Sequence, residues 1–198
     1  ALASALNSLG ERWLNSPLAI LAAENKPRQL STARSLGFAV PDTLITNDIR
    51  QAQSFLSEGA CVAKPLREAL LEKGGEERVI FTSRLDELVE TDEVRVAAAP
   101  IILQREIQKH SDIRATVIGD AVYVAEILSQ EHDETKTDWR RGSRSDLPHR
   151  SHELPDDLRR NCVRLVQTLG LRFGAVDLIL DRVGSYWFLE VNPNGQWA

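Results

Sequence analysis

The sequence predicts an α+β protein, in which runs of strands have helices laid to one side rather than strictly alternating with them. Three observations support this class. Extended runs follow one another in the second half of the chain, and Gly119-Asp120 is typical of a hairpin turn between two of them. An apolar stripe at helical spacing predicts a helix from Pro155 that Gly170 ends. The strands are predicted at 101–107, 112–118, 121–128, 174–181 and 186–191.

The first third of the chain is predicted to alternate helices with short strands. Gly37 supplies the stop for the first helix. Pro41 forces extended backbone before the first strand. Asp48 is a suitable N-cap for the second helix, and Pro65 ends the second strand. The helices are predicted at 17–36 and 49–56, and the strands at 43–46 and 61–64.

Two long loops are predicted further along the chain. The polar stretch 66–77 is interpreted as a mobile loop, followed by a strand at 79–81. Ser83 or Thr82 is predicted to cap a helix that runs through Val89. Residues 130–153 show almost no apolar periodicity, and a structureless loop of that length is usually functional or disordered.

Composition and charge exclude several classes of function. The chain of 198 residues has a net charge of −5, whereas nucleic-acid binding needs an excess of basic charge. The longest apolar run, 96–103, is too short to span a membrane. Two cysteines are too few for a disulfide scaffold, so we expect a reduced, cytoplasmic location. From the charge and the short apolar run, we expect neither nucleic-acid nor membrane partners.

The last predicted hairpin brings two acids together. A turn at 183–184 or 182–185 places Asp177 directly opposite Glu190, with Cβ atoms about 4.5–5.5 Å apart. Asn192 lies two residues further, on the same face. Carboxylates this close repel unless a proton or cation lies between them, and Mg²⁺ prefers oxygen ligands. A surface hairpin whose acids face water explains the spacing equally well.

Two lysines lie where a phosphate could be bound. Lys64 ends a predicted strand just before the loop at 66–77, and an ammonium group binds phosphate as a point charge. Lys26 lies within or beside the first helix. A solvated side chain remains the simpler interpretation of each lysine taken alone.

Short motifs follow one another in a characteristic order along the chain. They are Asn25-Lys26, Gly37 to Pro41 with Thr43, Val62-Ala63-Lys64-Pro65, Gln104 to Ile107, Asp112-Ile113-Arg114, Gly119-Asp120, Asp177 and Phe188 to Pro193. This order resembles the ATP-grasp superfamily, over about residues 15–197. Asp138-Trp139-Arg140 and the ending from Asn192 to Trp197 are similar to the graspetide (microviridin-type) peptide synthetases, relatives of the RimK-like glutamate ligases.

The resemblance implies an ATP-grasp fold of two α+β subdomains that clasp ATP, without a complete N-terminal pre-ATP-grasp domain. Residues 1–14 would be the end of that domain or a linker. The ATP-grasp domain would cover 15–198, with subdomains at about 15–100 and 101–198, the second holding the metal site.

The resemblance also implies roles for single residues. Lys26 and Lys64 would contact the ATP phosphates, and Asp177, Glu190 and Asn192 would hold Mg²⁺. Arg114 would stabilise the γ-phosphate and the acyl-phosphate that replaces it. The adenine edge would be read by the main chain of Gln104, Arg105, Glu106 and Ile107.

The arginines of the loop at 130–153 form either a solvated loop face or, as we favour, a dock for an acidic peptide or protein. They are Arg140, Arg141, Arg144 and Arg150. The resemblance implies that Asp138 and Arg140 face the substrate, and planar guanidinium groups suit carboxylates. His149 and His152 are a weaker zinc candidate, because no Cys or acid at ligand spacing supports them.

The implied reaction is ATP-dependent ligation. A substrate carboxylate would become an acyl-phosphate, and a hydroxyl or amine would displace phosphate to form an ester or amide crosslink in a ribosomally made peptide. One alternative is a RimK-like ligase that adds an amino acid such as glutamate. Another is a non-catalytic nucleotide-binding module, against which the intact set of Asp177, Glu190 and Asn192 argues. A homodimer is a further expectation.

Overall fold

The computed structural model describes residues 12–65, 70–73, 76–79, 82–131, 136–139 and 147–194. The chain divides into two compact units. The first consists of Ala1–Val40, Lys109–Leu128 and Arg144–Ala198, and the second of Pro41–Gln108 and Ser129–Ser143. Each combines helices with antiparallel strands, which confirms the predicted α+β class.

The first unit is built on a five-stranded antiparallel sheet in the order β11-β10-β7-β8-β9. The strands are β7 (Lys109–Ile118), β8 (Ala121–Ile127), β9 (His149–Ser151), β10 (Phe173–Asp181) and β11 (Tyr186–Asn192). Its helices are α1 (Pro17–Ala23), α2 (Lys26–Ser35) and α5 (Asp156–Thr168).

The core of the first unit lies between α5 and one face of this sheet. Cys162, Leu165 and Val166 of α5 are buried in one cluster with alternate residues of the strands, among them Val176 and Leu178. The opposite face of β10 therefore presents Asp177 and its neighbours at odd-numbered positions.

Close packing of α5 on the sheet depends on a glycine in β10. A Cβ atom added at Gly174 would lie 3.0 Å from methyl carbons of both Val166 and Val191. The missing side chain at residue 174 therefore lets the helix and the neighbouring strand approach.

The second unit contains a four-stranded antiparallel sheet in the order β1-β6-β2-β5, and a separate hairpin of β3 and β4. Helix α3 contacts β1 and α4, and a 3₁₀ turn at Glu90–Asp92 precedes α4. The strands are β1 (Thr43–Thr46), β2 (Cys61–Lys64), β3 (Leu70–Lys73), β4 (Glu76–Val79), β5 (Ser83–Leu85) and β6 (Ile101–Arg105). The helices are α3 (Ile49–Ser57) and α4 (Glu93–Ala98).

The two units differ from the predicted division at about residue 100. Strand β6 pairs with both β1 and β2, so the strand after residue 100 completes the sheet of the second unit. Helix α2 contacts β11, so an early helix packs against the last described strand.

The helix predicted over 17–36 is wrong in being continuous, because the structure has two helices there. Asn25 caps α2, with its Oδ1 accepting from the main-chain N of Arg28 at 2.9 Å, and Pro27 lies in the first turn. Both features begin a helix and so divide the run. The predicted stops at Gly37 and Gly170 are confirmed by φ angles of +87° and +81°.

Several other element predictions in the middle of the chain are wrong. The loop predicted over 66–77 contains most of the hairpin of β3 and β4, while 66–69 and 74–75 lie outside the described residues. The helix predicted over 82–89 is replaced at its start by β5, which pairs with β2. Of the strand predicted at 79–81, Val79 ends β4, and the other two residues are not described.

The second predicted loop and the last helix also need correction. The segment 130–153 is not structureless throughout, since it contains β9. This strand pairs with β8 and forms an edge of the first unit's sheet. A 3₁₀ turn covers Ser129–Glu131. Pro155 is the N-cap of α5 rather than its first helical residue.

Candidate functional site

A cluster of charged and polar side chains gathers on β7, β10 and β11. In the sheet register, Asp177 lies between Arg114 on β7 and Glu190 on β11. This confirms the predicted pairing of Asp177 with Glu190 across the hairpin. The charged cluster is defined as Lys26, Arg114, Asp177, Glu190 and Asn192.

Between this pair of acids and the turn, the observed register differs from the predicted one. Near the turn, Leu180 faces Tyr186 and Leu178 faces Phe188, one position out of step with a continuous ladder through the two acids. A β-bulge beside Asp177 inserts one residue into β11 and restores the predicted register. The connection between the two strands lies at 182–185, where it was predicted, but the register beside it differs by one residue from the predicted one.

Arg114 and Asp177 form a two-pronged ion pair. The Arg114 Nε donates to Asp177 Oδ1 at 2.9 Å, and its Nη2 donates to Oδ2 at 3.2 Å. The side chains are 13% and 9% exposed, so solvent screens the pair weakly. The Asn192 Nδ2 donates to the same Oδ2 at 3.0 Å. Three strands thus converge on one carboxylate.

Glu190 has its own cation, from a different element. The Lys26 Nζ lies 3.5 Å from Glu190 Oε2, and both side chains are largely buried. Lys26 is the first residue of α2, where the Asn25 cap fixes the start of the helix. Each acid of the facing pair is therefore accompanied by one basic side chain.

The donor set of the charged cluster suits a hard divalent cation. Asp177 and Glu190 offer carboxylate oxygens and Asn192 an amide oxygen, the ligand types that Mg²⁺ takes. Among the described residues, no group of three or more His, Cys, Asp or Glu side chains forms a complete metal cage. Mg²⁺ commonly completes its shell with water and substrate phosphates, so the three residues fit a shared site.

In the second unit, Lys64 is positioned by a chain of hydrogen bonds. Its Nζ donates to Gln104 Oε1 at 2.7 Å, and Gln104 Nε2 donates to Thr43 Oγ1 at 3.0 Å. Gln104 is buried, so its amide holds the ammonium group in one direction. Lys64 and Gln104 lie on the paired strands β2 and β6, and sequence spacing alone did not indicate that they are close.

The segment predicted to read adenine is partly committed to the protein itself. The main-chain N of Arg105 donates to Asp42 O, and that of Glu106 to Ala60 O, both at 2.9 Å. The Arg105 side chain donates to Glu58 Oε2 at 2.7 Å and lies over the ring of Phe55. A nucleotide contact from this segment would use its remaining main-chain groups, including those of Ile107.

Asp138 is buried, and its Oδ2 accepts a hydrogen bond from the main-chain N of Thr82 at 3.2 Å. The carboxylate of Asp138 thus ties the segment 136–139 to the residue before β5. Arg140, predicted to face the substrate, lies outside the described residues.

Sequence reasoning missed a second polar network around Glu126 of β8. The Arg150 Nε and Nη2 donate to Glu126 at 2.8 and 3.0 Å, and His152 Nδ1 lies 3.1 Å from the same carboxylate. The bonds from Arg150 lower the pKa of Glu126 to about 2, against the effect of burial. His152 Nε2 also lies 2.8 Å from the Tyr186 hydroxyl, so this histidine is part of a hydrogen-bond network.

A buried ion pair of β7 was also missed. The Lys109 Nζ donates to both carboxylate oxygens of Asp112 at 3.1 Å. Asp112 lies two residues before Arg114 and therefore on the same face of the strand. The spacing of a lysine three residues before an acid is too common to have indicated this pair.

Among the residues that the structure describes, none of the helices has the length and apolar character that crossing a bilayer requires.

Comparison with known proteins places the chain in a family. The model of the RimK-like ATP-grasp domain matches residues 21–198. A probable alpha-L-glutamate ligase of Mannheimia succiniciproducens is 31% identical over 184 residues, covering 91% of this chain and 59% of the relative.

Two solved structures are similar in fold. One is a RiPP-associated ATP-grasp ligase of Chryseobacterium gregarium in complex with ADP and a leader and core peptide, with a TM-score of 0.83 and 29% identity over 93% of this chain and 56% of that one. The other is the macrocyclase MdnC of Microcystis aeruginosa bound with precursor peptide MdnA, with a TM-score of 0.78 and 27% identity over 99% and 60%.

The chain spans somewhat more than half the length of these relatives. The similarity confirms the predicted ATP-grasp fold. On the match over residues 21–198, this chain belongs to the RimK-like ATP-grasp family.

Proposed function

We propose that this chain carries the nucleotide and metal site of an ATP-dependent ligase that crosslinks a ribosomally made peptide. The observation that carries the proposal is the charged cluster, in which two facing carboxylates and an amide lie beside two cations. This combination of charges suits phosphoryl transfer, in which the protein acts mainly by positioning and electrostatic stabilisation.

Each member of the cluster has a proposed task. Asp177, Glu190 and Asn192 hold Mg²⁺, which neutralises charge on the phosphates when it is bound. Arg114 presents a planar fork to the γ-phosphate and to the acyl-phosphate, for which its geometry is suited. Lys26 contacts the other phosphate oxygens as a point charge, and a phosphate-binding role is proposed separately for Lys64 of the second unit.

The chemistry proposed for the substrate is a carboxylate activation. A carboxylate oxygen attacks the γ-phosphorus and ADP leaves, which gives an acyl-phosphate. A hydroxyl or amine then attacks the acyl carbon, phosphate leaves, and an ester or amide remains. The peptide class is supported by the neighbours solved with precursor or core peptides. An acidic peptide supplies the carboxylate to be activated.

The test begins with nucleotide binding to the full chain. Calorimetry with MgATP, with ATP in EDTA, and with Mg²⁺ alone separates the contributions of the metal and the nucleotide. We expect binding of MgATP, weaker binding of ATP in EDTA, and a Glu190→Gln variant that folds but loses the gain from Mg²⁺. No heat and no thermal shift at millimolar MgATP would contradict the proposal.

Peptide modification is tested in the full-length enzyme by mass spectrometry with a synthetic peptide rich in Glu, Asp, Thr, Ser and Lys. Loss of water without added mass supports crosslinking. The Arg140→Ala variant is expected to abolish modification while MgATP affinity stays within a few-fold. Loss of nucleotide binding would instead assign Arg140 to the phosphate site.

Ligation of glutamate is the second candidate, and the named glutamate ligase relatives favour it. Because such a ligase adds a residue, the product would gain mass instead of losing water. The same assay with glutamate added to the reaction distinguishes the two.

A further inference from the structure

The outer edge of β11 is closed by a side chain. In the described part of the sheet, β11 is the outermost strand, and its far side makes an isolated parallel bridge with Ala39, whose O accepts from Phe188 N at 2.8 Å. Gln29 of α2 pairs there with Val191: its Nε2 donates to Val191 O at 2.9 Å, and its Oε1 accepts from Val191 N at 2.8 Å. The carboxamide makes the two hydrogen bonds that a residue of a neighbouring strand would make.

The hydrogen-bonding pattern at this position requires an amide. The Nε2 of Gln29 also donates to Ala23 O at 2.7 Å, and the residue is only 2% exposed. Two donors and one acceptor are therefore used together in a buried place. A glutamate would keep the acceptor and lose both donors, and a methionine would lose all three bonds.

A second buried amide holds the chain on the other side of Asn192. The Asn15 Nδ2 donates to Pro193 O and Phe173 O, both at 2.8 Å. Its Oδ1 accepts from the main-chain N of Arg172 at 2.8 Å and of Phe173 at 3.1 Å. Asn192 thus lies between two main-chain positions that are each fixed by a buried carboxamide.

Resting on the function proposed above, we infer that Gln29 is a positioning residue for Glu190 and Asn192. Val191 lies between these two residues, so fixing its peptide groups fixes the direction in which both side chains leave the strand. Lys26 lies three residues before Gln29 on the same side of α2 and contacts Glu190. One helix therefore sets both the main chain at 191 and the side chain at 190.

A residue of this kind affects the metal site as well as the stability of the fold. Ligands must be held within about 0.5 Å of the productive geometry, and residues that orient them commonly alter metal affinity by about 10–100-fold. If Gln29 only closed the edge of β11, replacing it would lower the stability of the fold without changing the metal dependence of ADP binding. This difference makes the inference testable.

The test uses the full chain with three variants. Gln29→Met removes all three hydrogen bonds, and Gln29→Asn, which keeps a carboxamide on a shorter side chain, is a milder change should the first variant fail to fold. Gln53→Met is the matched control, because Gln53 of α3 also donates to a main-chain carbonyl, Leu88 O, at 2.9 Å. ADP affinity is measured by calorimetry in EDTA and in Mn²⁺, and electron paramagnetic resonance reports bound Mn²⁺ directly.

We expect both Gln29 variants to weaken Mn²⁺ binding with ADP by about tenfold or more. Their ADP affinity in EDTA should change less than about twofold, and Gln53→Met should alter neither quantity. If wild type binds normally and the Gln29 variants match Gln53→Met, Gln29 is only structural and the inference is overturned. If wild type shows no Mn²⁺-dependent ADP binding, the proposed function fails, and the inference with it.

Discussion

Replacing Asp177 by Asn is expected to destabilise the metal-free protein far more than replacing Glu190 by Gln. Asp177 accepts two hydrogen bonds from Arg114 and one from Asn192, all between 2.9 and 3.2 Å. Removing one partner of a buried ion pair costs about 3–5 kcal/mol. Asparagine keeps one acceptor oxygen, so we expect a loss of about 2–4 kcal/mol for Asp177→Asn.

The corresponding figure for Glu190→Gln is smaller. The 3.5 Å separation between Lys26 Nζ and Glu190 Oε2 exceeds the length of about 2.7–2.9 Å typical of a charge-assisted hydrogen bond. The glutamine oxygen can still accept from the lysine. The change also removes the repulsion between the carboxylates at 177 and 190, so we expect a net loss of about 1 kcal/mol or less.

Urea unfolding in EDTA measures both free energies. Asp86→Asn is the control, because Asp86 pairs with Arg84 at 3.2 Å while both side chains are mostly exposed. That pair should contribute less than about 1 kcal/mol. If Asp177→Asn costs no more than Asp86→Asn, the Arg114 fork does not stabilise the fold and the reasoning fails. Equal losses for Asp177→Asn and Glu190→Gln would also refute it.

Three further predictions concern other parts of the molecule. Glu126 has a folded pKa of about 2 against an ordinary value of 4.5, so its stabilisation is present above pH 4.5 and is lost as the pH falls toward 2. The stability advantage of wild type over Glu126→Gln in chemical unfolding should therefore shrink by about 1 kcal/mol between pH 6 and pH 3.5, and a constant difference would contradict this. Burial raises the pKa of Cys162 to about 12 and also raises that of Cys61, so neither thiol should react with a thiol reagent at pH 7.5 before unfolding. Gly174→Ala should lower stability by about 1–3 kcal/mol in thermal unfolding, because its Cβ would meet Val166 and Val191, and an unchanged Tm would refute that.

The sequence predicted the acid pair because its positions depend on one short hairpin. Residues 177 and 190 are separated by a single turn, so counting residues outward from that turn predicts that they face each other. The bulge beside Asp177 compensated for a register near the turn that was one residue different from the prediction. The cations could not be counted in this way: Arg114 comes from another hairpin and Lys26 from a helix, and only tertiary packing brings them to the acids.

The missed elements in the second unit share a physical cause. Strands β3 and β4 carry several charged residues, such as Glu72 and Arg78, so apolar alternation was absent. Gly74-Gly75 between them is nonetheless a sequence signal for a hairpin turn. The six-residue helix α4 is too short to show two turns of periodicity. Its only buried residue is Val96, which explains why hydropathy did not detect it.

The pairing of each acid with a cation changes the argument for a metal at this site. Repulsion between Asp177 and Glu190 was the sequence-based reason to expect a divalent cation, but Arg114 and Lys26 already relieve that repulsion. The same two cations are the groups proposed to bind phosphate oxygens. A bound nucleotide would compete with the acids for Arg114 and Lys26, and every contact it gained would leave a carboxylate less neutralised. The affinity of the acids for Mg²⁺ should therefore rise when the nucleotide is present, and Mg²⁺ alone should bind weakly. The calorimetric comparison of Mg²⁺ alone with MgATP tests this coupling: tight binding of Mg²⁺ without nucleotide would show that the acids hold the metal independently of the two cations.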